Sequence, residues 1–364
     1  MNRIRVNLEK RLSASYDIHI GRDILDRMAP VLAKSGWAGR WYILTDSNVS
    51  RLHGDRLLEV LRGNGLSAEI IEFAAGESSK TIATCIGLAE ELLKRGADRT
   101  SGLIALGGGV VGDVAGFVAS IYMRGIPCVQ VPTTLLAQVD SSIGGKTGVD
   151  LPAGKNMLGT FLQPRAVFID LAVLDTLPAR EFTNGLAEIV KYGIIEDPEL
   201  LAAIEEGAEA LQRREPALLE RLVSASCRIK KGVVEIDETE KGLRRILNFG
   251  HTVGHAIEAE SQYAIAHGES VAMGMAAAAF ISERQRYLST EDRARVIAAI
   301  ERAGLPVRIP QALDTARILS HLAMDKKKKD GKIHFVLLRK PGMPFVNGGV
   351  PLELVQETIE ALKA

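Results

Sequence analysis

The sequence predicts an α/β, Rossmann-like N-terminal domain followed by a mostly α-helical C-terminal domain. Up to about residue 172, short apolar runs alternate with segments of helical spacing, which is typical of a parallel sheet covered by helices. After that point, long amphipathic segments dominate and few strand signals appear. A chain of 364 residues is also longer than most single domains. We therefore predict two domains, residues 1–172 and 173–364.

The first domain begins with two alternating runs, residues 3–8 and 16–20, which flank a polar turn and predict a hairpin. The helices predicted after it are 23–34, 49–63 and 81–95, and the predicted strands are 41–45, 68–73, 103–106, 128–131 and 166–170. The helices predicted in the second domain are 181–196, 198–212, 215–235, 249–262, 268–288, 290–304 and 312–323.

Composition and charge limit the partners that the chain can have. Hydrophobic residues make up 46% of the chain and charged residues 25%, as in ordinary soluble enzymes. Lysine plus arginine equals aspartate plus glutamate, 45 of each, so the bulk charge favours neither nucleic acid nor a membrane. The N-terminus lacks the apolar core of a signal peptide, and the apolar stretch 271–281 is too short to cross a bilayer. We therefore expect a cytoplasmic protein.

Three cysteines, Cys85, Cys128 and Cys227, lie far apart in the sequence. Their odd number and wide spacing fit neither a disulfide framework nor a cysteine metal site. We predict that all three are buried thiols.

A candidate phosphate-binding turn lies in the segment 101–118. An apolar run suited to a buried strand is followed by three glycines, and Asp113 then begins a run that can continue as a helix. Such a turn can hold a phosphate, because glycine admits close approach and a helix N-terminus attracts anions. The spacing of Gly107, Gly109 and Gly112 fits the dinucleotide fingerprint, but a tight turn without a ligand explains it equally well.

Three of the seven histidines lie close together in the sequence. His251 and His255 are four residues apart on a predicted helix and can share a metal, although Thr252 excludes the metalloprotease pattern H-E-x-x-H. His267 precedes the next helix and can fold back onto the first. Glu188 interrupts an otherwise apolar helical face, so it is a candidate further ligand. The alternative is a group of hydrogen-bonded core histidines.

The segment 140–156 is expected to be a loop rich in glycine and hydroxyl groups. It contains Lys146, Lys155 and Asn156, which an anionic substrate would require, but it lacks the glycine spacing of a P-loop. A solvated surface loop is the alternative. The lysine-rich run 325–332 is best explained as a solvated charged loop.

Together these motifs resemble the 3-dehydroquinate synthases, a family of sugar phosphate cyclases. The resemblance extends from about Thr45 to Lys332. Its blocks are GGGVVGD at 107–113, VPTTLLAQVDSSIGGKTGVDLPAGKNMLGTFLQP at 131–164, GLAEIVKYG at 185–193, RILNFGHTVGHAIE at 245–258 and HGE at 267–269. Their order and spacing make the resemblance specific.

The resemblance implies that NAD binds across the glycine turn. The residues it assigns to the cofactor are Asp46, Glu77, Ser78, Lys80, Gly108, Gly109, Val110, Asp113, Thr133, Thr134, Asp140, Ser141, Lys146, Lys155 and Thr176. Asp46 would lie near the adenosine ribose, whereas an ordinary Rossmann fold uses an acidic residue about 20 positions after the glycines. No acidic residue follows Asp113 until Asp140.

The resemblance also implies one divalent metal, usually zinc with cobalt as the alternative, held by Glu188, His251 and His267. His255 then becomes an acid/base residue instead of a ligand. The implied substrate residues are Arg124, Asp140, Lys146, Lys155, Asn156, Lys191, Arg244, Asn248, His255 and Lys326. The implied catalytic residues are Lys146, Lys191, Lys230, Glu240, Arg244, Asn248 and His255. Arg124 would reach the neighbouring subunit's phosphate site, which implies a homodimer. The lysine run 326–329 is more basic than the family's pattern.

The implied reaction converts 3-deoxy-D-arabino-heptulosonate 7-phosphate to 3-dehydroquinate and phosphate, within the shikimate pathway to aromatic amino acids. NAD transiently oxidises the C5 hydroxyl, which permits elimination of phosphate, and re-reduction and an intramolecular aldol step then close the ring. Cyclases of the 2-deoxy-scyllo-inosose or valiolone type and metal-dependent polyol dehydrogenases are the enzyme alternatives. The non-enzyme alternative, an NAD-binding regulatory protein, would leave the predicted metal ligands without a purpose.

Overall fold

The computed structural model describes residues 15–152, 154–240, 242–326 and 332–363, and the side chains of all of these except 324–326. The predicted strand at 3–8 lies outside the described residues, so its pairing with 16–20 stays a prediction. Where the chain is described, no helix is long and apolar enough to span a membrane.

Six parallel strands form the main sheet. They are β1 (Asp17–Gly21), β2 (Arg40–Asp46), β3 (Ala68–Phe73), β4 (Ser101–Gly107), β5 (Cys128–Pro132) and, after the hairpin of β6 and β7 described below, β8 (Ala166–Asp170). Their order across the sheet is β1, β8, β5, β4, β2, β3. All residues of β4 are buried, as its continuous apolar run predicts. Because the strands are parallel, their carboxyl ends meet at one edge, where open α/β sheets bind ligands.

Helices connect these strands. They are α1 (Leu25–Ser35), α2 (Ser47–Val49), α3 (Asp55–Gly63), α4 (Ile82–Lys94) and α5 (Gly109–Ile121). Short 3₁₀ or π-helical segments occupy Ser50–Gly54, Glu77–Ser79, Tyr122–Arg124, Ala137–Ser141, Leu171–Thr176 and Leu243–Asn248. The helix α5 was predicted to begin at Asp113, but it begins one turn earlier, at Gly109. Gly108, whose backbone is extended (φ −75°, ψ −166°), is the residue that precedes the helix.

The segment 140–156 is only partly a loop, contrary to expectation. Its second half contains β6 (Lys146–Leu151), which pairs antiparallel with β7 (Gly154–Phe161). The two backbones approach closely at Gly148 and Gly159, where a Cβ atom would lie 2.6 Å and 2.3 Å from carbonyl oxygens of the opposite strand. The glycines that suggest a flexible loop therefore permit a tightly paired hairpin.

The second half of the chain is mostly helical. Its helices are α6 (Ala179–Ile195), α7 (Pro198–Glu206), α8 (Ala208–Gln212), α9 (Pro216–Ile236), α10 (His251–Glu260), α11 (His267–Arg284), α12 (Thr290–Arg302), α13 (Thr315–Lys326) and α14 (Leu352–Leu362). The predicted helix 198–212 is divided at Gly207. An antiparallel pair, β9 (Phe335–Leu338) and β10 (Pro344–Asn347), and α14 were not predicted. The predicted fold class is nevertheless confirmed.

Candidate active site

The glycine turn between β4 and α5 lies at the carboxyl edge of the sheet. A Cβ atom at Gly108 would lie 2.9 Å from Thr134 Cγ2, and one at Gly109 would lie 3.2 Å from Ser141 Oγ. Close contact with the segment that follows β5 therefore requires both glycines. The first turn of α5, which includes Val110, has backbone N–H groups without helical acceptors, and such groups attract anions.

Two hydroxyls in this segment, Thr133 Oγ1 and Ser141 Oγ, are buried and have no hydrogen-bond partner among the described residues. An unsatisfied buried donor costs about 1–3 kcal/mol. The Thr133 amide donates to Gly107 O at 2.9 Å, which fixes the segment against the turn. Free hydroxyls, close-packed glycines and a helix N-terminus together fit a nucleotide pyrophosphate.

Lys80 joins the turn to the β6–β7 hairpin. Its ammonium lies 2.5 Å from Asp113 Oδ2 on α5 and donates to Asn156 Oδ1 on β7 at 2.6 Å. Burial raises the pKa of Asp113, although Lys80 opposes the shift. The structure thus brings two predicted NAD residues into contact with a predicted substrate residue.

Asp46 and Thr176, which are also predicted to contact NAD, have structural partners. Asp46 Oδ1 accepts hydrogen bonds from the amides of Asn48 (2.8 Å) and Val49 (3.0 Å), so it caps the helix after β2. Thr176 Oγ1 lies 2.9 Å from Nε2 of the buried His53. Their contacts with a cofactor stay predictions.

The three predicted metal ligands converge although they lie on three helices. Glu188 lies on α6, His251 begins α10 and His267 begins α11. Their ligand atoms all lie within 4.8 Å of one another. Nε2 of His251 lies 3.5 Å, and Nε2 of His267 3.7 Å, from Glu188 Oε1. One carboxylate and two imidazoles that face a common point form a donor set typical of catalytic zinc.

Small residues allow these helices to approach one another. Gly254 and Gly274 lie where α10 meets α11. A Cβ atom at Gly254 would lie 2.9 Å, and one at Gly274 would lie 1.9 Å, from a carbonyl oxygen of the facing segment. A Cβ atom at Gly268, the residue after His267, would lie 2.1 Å from the Asn184 carbonyl oxygen of α6. The ligand positions therefore depend on glycine at the helix contacts.

Both candidate ligand imidazoles have an anchor on the ring nitrogen that faces away from Glu188. His251 Nδ1 lies 3.1 Å from the Phe249 carbonyl oxygen. His267 Nδ1 lies 3.4 Å from Glu258 Oε2. The oxygen beside each Nδ1 accepts the Nδ1 proton, so in both rings Nε2 would be the atom that offers a lone pair to a metal bound beside Glu188.

The charge of Glu188 needs a cation. Its carboxylate is 1% exposed and is in ion-pair contact with the Lys191 ammonium, yet neither oxygen has full hydrogen-bond geometry with a described residue. Burial opposes ionisation, but Lys191 and His251 outweigh it and lower the pKa of Glu188 to about 2. A buried, ionised and incompletely satisfied carboxylate beside two imidazoles fits a divalent metal.

The two imidazoles have opposite electrostatic surroundings. Burial and the neighbouring Lys191 lower the pKa of His251 to about 3. Desolvation also acts on the half-buried His267, but its interactions with the Glu188 and Glu258 carboxylates outweigh it and raise its pKa to about 9. Metal binding at His267 must therefore displace a proton near neutral pH.

His255 completes a cluster of three imidazoles. It is exposed, and its ring centroid lies 5.2 Å from that of His251 and 5.9 Å from that of His267. A second group of candidate ligand atoms, from His255, Glu258 and His267, also lies within 4.8 Å. The Glu188 group fits a metal better, because Glu188 is more deeply buried than Glu258 and neither of its oxygens has full hydrogen-bond geometry with a described residue, whereas Glu258 Oε1 accepts a hydrogen bond from Lys155.

The half-buried Asp140 and the buried Lys230 form a second centre of charge. Asp140 Oδ1 accepts hydrogen bonds from Tyr192 (2.6 Å) and from Lys230 (2.7 Å). Burial opposes ionisation of Asp140, but Lys230 and Lys191 lower its pKa below the ordinary value. Burial in turn lowers the pKa of Lys230, against the effect of Asp140. The predicted substrate residue Asp140 is therefore in contact with the predicted catalytic residue Lys230, and Lys191 lies close enough to affect the pKa of both.

Other predicted substrate residues form a second group, in which Lys146 of β6 meets the segment before α10. The Lys146 ammonium contacts Glu240 Oε2, and Asn248 Nδ2 donates to Glu240 Oε1 at 2.7 Å. Arg244 is 3% exposed and donates to the Glu238 carbonyl oxygen at 2.5 Å. Glu240 thus connects two side chains that are predicted to contact the substrate.

Lys155, on β7, connects the hairpin with both halves of the chain. It donates to Glu258 Oε1 at 2.8 Å, lies 3.0 Å from Glu77 Oε1, and lies 4.3 Å from the centroid of the Tyr263 ring. Glu77 and its neighbour Ser78 belong to the exposed turn after β3. This turn and the metal site are therefore linked through one lysine.

Arg124, which is predicted to bind the substrate phosphate, lies just beyond the end of α5 that is opposite to the glycine turn. It follows the 13-residue α5, so a rise of about 1.5 Å per residue separates it from the turn by roughly 20 Å. Met123 and Arg124 both have positive φ angles, 49° and 69°. The side chain of Lys326 is not among those described, so its role stays a prediction.

Several residues of the site were not predicted. Glu258 is one, although it lies on the same face of α10 as His251 and His255, at the spacing i, i+4, i+7 that could have revealed it. Tyr192 directly follows Lys191 and has no distinguishing spacing. His53 contacts a residue more than 100 positions away, so no local pattern could have predicted its contact.

Two family models match consecutive parts of the chain. One described as 3-dehydroquinate synthase N-terminal matches residues 70–184, and one described as 3-dehydroquinate synthase C-terminal matches residues 185–328. The chain is 45% identical over 351 residues to a 3-dehydroquinate synthase of Symbiobacterium thermophilum, an alignment that covers 96% of this chain and 98% of the relative.

Solved structures of other cyclases share the fold. A 2-epi-5-epi-valiolone synthase from Streptomyces hygroscopicus subsp. jinggangensis with NAD+ and Zn²⁺ is 30% identical, with a TM-score of 0.89 and 99% of each chain covered. A 2-deoxy-scyllo-inosose synthase with carbaglucose-6-phosphate, NAD+ and Co²⁺ is 30% identical, with a TM-score of 0.86 over 94% of this chain and 96% of the other. The two family models and the near-complete match to a curated relative show that this chain belongs to the 3-dehydroquinate synthase family.

Proposed function

We propose that the protein converts 3-deoxy-D-arabino-heptulosonate 7-phosphate to 3-dehydroquinate and phosphate, and thus acts as a carbon–oxygen lyase that also closes a ring. The observation that carries the proposal is the convergence of Glu188, His251 and His267 beside buried lysines. Metal ligands, clustered cations and a nucleotide turn together suit a sugar phosphate that must be oxidised and must lose phosphate.

Glu188, His251 and His267 would hold the metal, and the two cyclases described above carry Zn²⁺ or Co²⁺ together with NAD+. When bound, the metal would polarise a substrate oxygen and so ease loss of the alcohol proton. His255 is exposed beside the ligands, which suits it to exchange a proton with a substrate hydroxyl at a ring nitrogen.

NAD would lie across the glycine turn, with its pyrophosphate at the N-terminus of α5. When bound, it would accept a hydride from the substrate and later return it. The hydroxyls of Thr133 and Ser141 would form hydrogen bonds with the cofactor. Lys80 would hold Asp113 and Asn156 in place. We propose the same role, contact with NAD, for the other residues that the resemblance assigns to the cofactor, among them Asp46 and Thr176.

The cations would bind the phosphate and carboxylate of the substrate. Lys146, Lys155 and Lys230 each contact an acidic side chain of the protein, respectively Glu240, Glu258 and Asp140. An incoming anion would exchange places with these partners or join them, which fixes the leaving phosphate before elimination. Arg244, Asn248, Lys191 and Lys326 complete the proposed substrate site.

We also propose a homodimer in which Arg124 serves the site of the partner. Its distance from the glycine turn of its own chain and the exposure of Ile121 (47%) and Phe161 (50%) nearby in the fold support this arrangement. Co-expression of Arg124→Ala with His255→Ala chains tests it, because each hybrid dimer would contain one intact site. Hybrids as inactive as either parent, or a monomer in sedimentation, would contradict the proposal.

The decisive assay mixes the purified protein with the heptulosonate phosphate, catalytic NAD and Zn²⁺, and follows phosphate release. We expect many turnovers per NAD, because the hydride is returned. Absence of phosphate, or NADH that accumulates in step with turnover, would refute the proposal and favour a polyol dehydrogenase.

The second candidate is a cyclase for a sugar phosphate without a carboxylate, which the structural similarity to the valiolone and scyllo-inosose synthases favours. A carboxylate-free sugar phosphate in the same assay separates the two. The proposed function predicts that only the heptulosonate is converted at an appreciable rate.

A further inference from the structure

Glu258 is a buried acidic residue of α10 with two different partners. Its side chain is 8% exposed. One oxygen, Oε2, lies 3.4 Å from Nδ1 of His267, and the other, Oε1, accepts a hydrogen bond from Lys155 at 2.8 Å. A single carboxylate therefore contacts both a proposed metal ligand and the β6–β7 hairpin.

His267 depends on this carboxylate more than His251 depends on its own anchor. The Nδ1 contact of His251 is to a backbone carbonyl oxygen, that of Phe249, which the chain holds in place. The His267 side chain is 30% exposed, compared with 13% for His251, and its Nδ1 contact is to a side chain. Removal of the Glu258 charge would thus release the His267 ring but not the His251 ring.

We propose that Glu258 is a positioning residue that orients His267 for the metal and at the same time holds the hairpin through Lys155. The inference rests on the metal site of the proposed function and adds to it a coupling between metal and hairpin. Metal binding fixes His267 and therefore Glu258, which in turn favours one position of Lys155. Because coupling between sites is reciprocal, the hairpin position must also affect metal affinity.

The hairpin contact extends to the turn that follows β3. The Lys155 ammonium lies 3.0 Å from Glu77 as well as 2.8 Å from Glu258. The contact of the hairpin with the metal site through Lys155 therefore also involves the turn assigned to the cofactor. Glu258 is the residue that connects the proposed metal ligand His267 with Lys155, and through Lys155 with this turn.

The test compares Glu258→Gln with Glu260→Gln. Glu260 lies on the same helix and its side chain is 6% exposed, but it pairs with Arg317 at 2.9 Å and not with His267. We expect Glu258→Gln to weaken Zn²⁺ binding about 10- to 100-fold in competition with a chelator, as for other carboxylate partners of metal-bound histidine. We expect Glu260→Gln to bind Zn²⁺ like the original protein.

Hydrogen exchange measures the second arm of the proposal. Zn²⁺ should slow amide exchange in the hairpin of the original protein but not in the hairpin of either variant, Glu258→Gln or Lys155→Met. The variant Lys155→Met retains the contact of Glu258 with His267 and loses only the contact with the hairpin. Lys155→Met decides the question if Glu258→Gln does not fold. Equal Zn²⁺ affinity in Glu258→Gln, or equal slowing in Lys155→Met, would overturn the inference. Absence of Zn²⁺ binding in the original protein would instead refute the proposed function.

Discussion

The buried ion pair of Lys191 and Glu188 allows a sharp prediction about the metal site. Both side chains are almost fully buried, at 2% and 1% exposure. Substitution Lys191→Met keeps the length of the side chain and removes its charge, so the Glu188 carboxylate is left buried beside two imidazoles. We expect the metal-free protein to lose stability and the metal-loaded protein to lose much less.

The magnitude follows from the geometry. Removal of one partner from a buried ion pair costs about 3–5 kcal/mol, because the other charge stays buried and uncompensated. His251 and His267 lie 3.5 Å and 3.7 Å from the same carboxylate oxygen and can offset part of the loss. We therefore expect the free energy of unfolding of the metal-free variant to fall by about 3 kcal/mol, the lower end of that range.

The metal should reverse most of this loss. Zn²⁺ supplies the charge that Lys191 supplied, and the removal of a competing ammonium should make Zn²⁺ bind more tightly to the variant. At a free metal concentration of about 1,000 times Kd, binding adds about 4 kcal/mol of stability. The double variant Glu188→Gln/Lys191→Met should be stable without metal and should not respond to it.

Denaturant unfolding with and without Zn²⁺ provides the measurement. Lys231→Met is the matched control, because Lys231 forms an ion pair with Glu235 on α9 but both side chains are exposed (58% and 60%). Its removal should change stability by less than about 1 kcal/mol. An equal loss for Lys191→Met with and without Zn²⁺ would refute the reasoning, since the lysine would then have no relation to the metal charge.

Two further predictions concern the glycine turn and the thiols. Gly108→Ala should weaken NAD binding about tenfold, because the new Cβ would meet the Thr134 methyl at 2.9 Å and overpacking costs about 1–3 kcal/mol. Thr134→Ser removes that methyl group and should restore part of the affinity in titration calorimetry, whereas no restoration would contradict the steric explanation. The three cysteines are buried, and burial raises their pKa to about 11 or about 12, so none should react with a disulfide reagent at pH 8 until the protein unfolds. Reaction of a thiol in the folded protein within minutes would contradict the burial.

Local periodicity was sufficient for most of the sheet and failed for the hairpins. The strand 68–73 is observed with its predicted bounds, because a short run with two isoleucines and a phenylalanine lies between two segments that contain glycine. The β6–β7 hairpin was missed because its glycines weaken the strand pattern, while their function is to let two backbones meet. The pair β9 and β10 was missed because four residues each give too short a pattern.

The same distinction separates the predicted and the unpredicted parts of the site. Residues such as Glu188 and His251 stand out because a polar group interrupts an apolar face or repeats at helical spacing. The partners of these residues do not stand out, because a contact such as that of Lys155 with Glu258 joins positions 103 residues apart. Sequence patterns identify which side chains belong to a site, but only the packing of helices and strands decides which of them touch.

The pairing of cations with acids in the protein has a consequence for selectivity. Lys146 contacts Glu240 and Lys230 contacts Asp140, so an anion gains only the difference between its own interaction and that of the carboxylate it displaces or joins. A single weak charge gains little from such an exchange. A doubly charged phosphate that reaches several lysines at once gains at each of them, and charge-assisted hydrogen bonds to phosphate are strong. If these lysines bind the substrate as proposed, the site would favour a substrate with both a phosphate and a further anionic group, and this selectivity would require the acidic partners as much as the lysines.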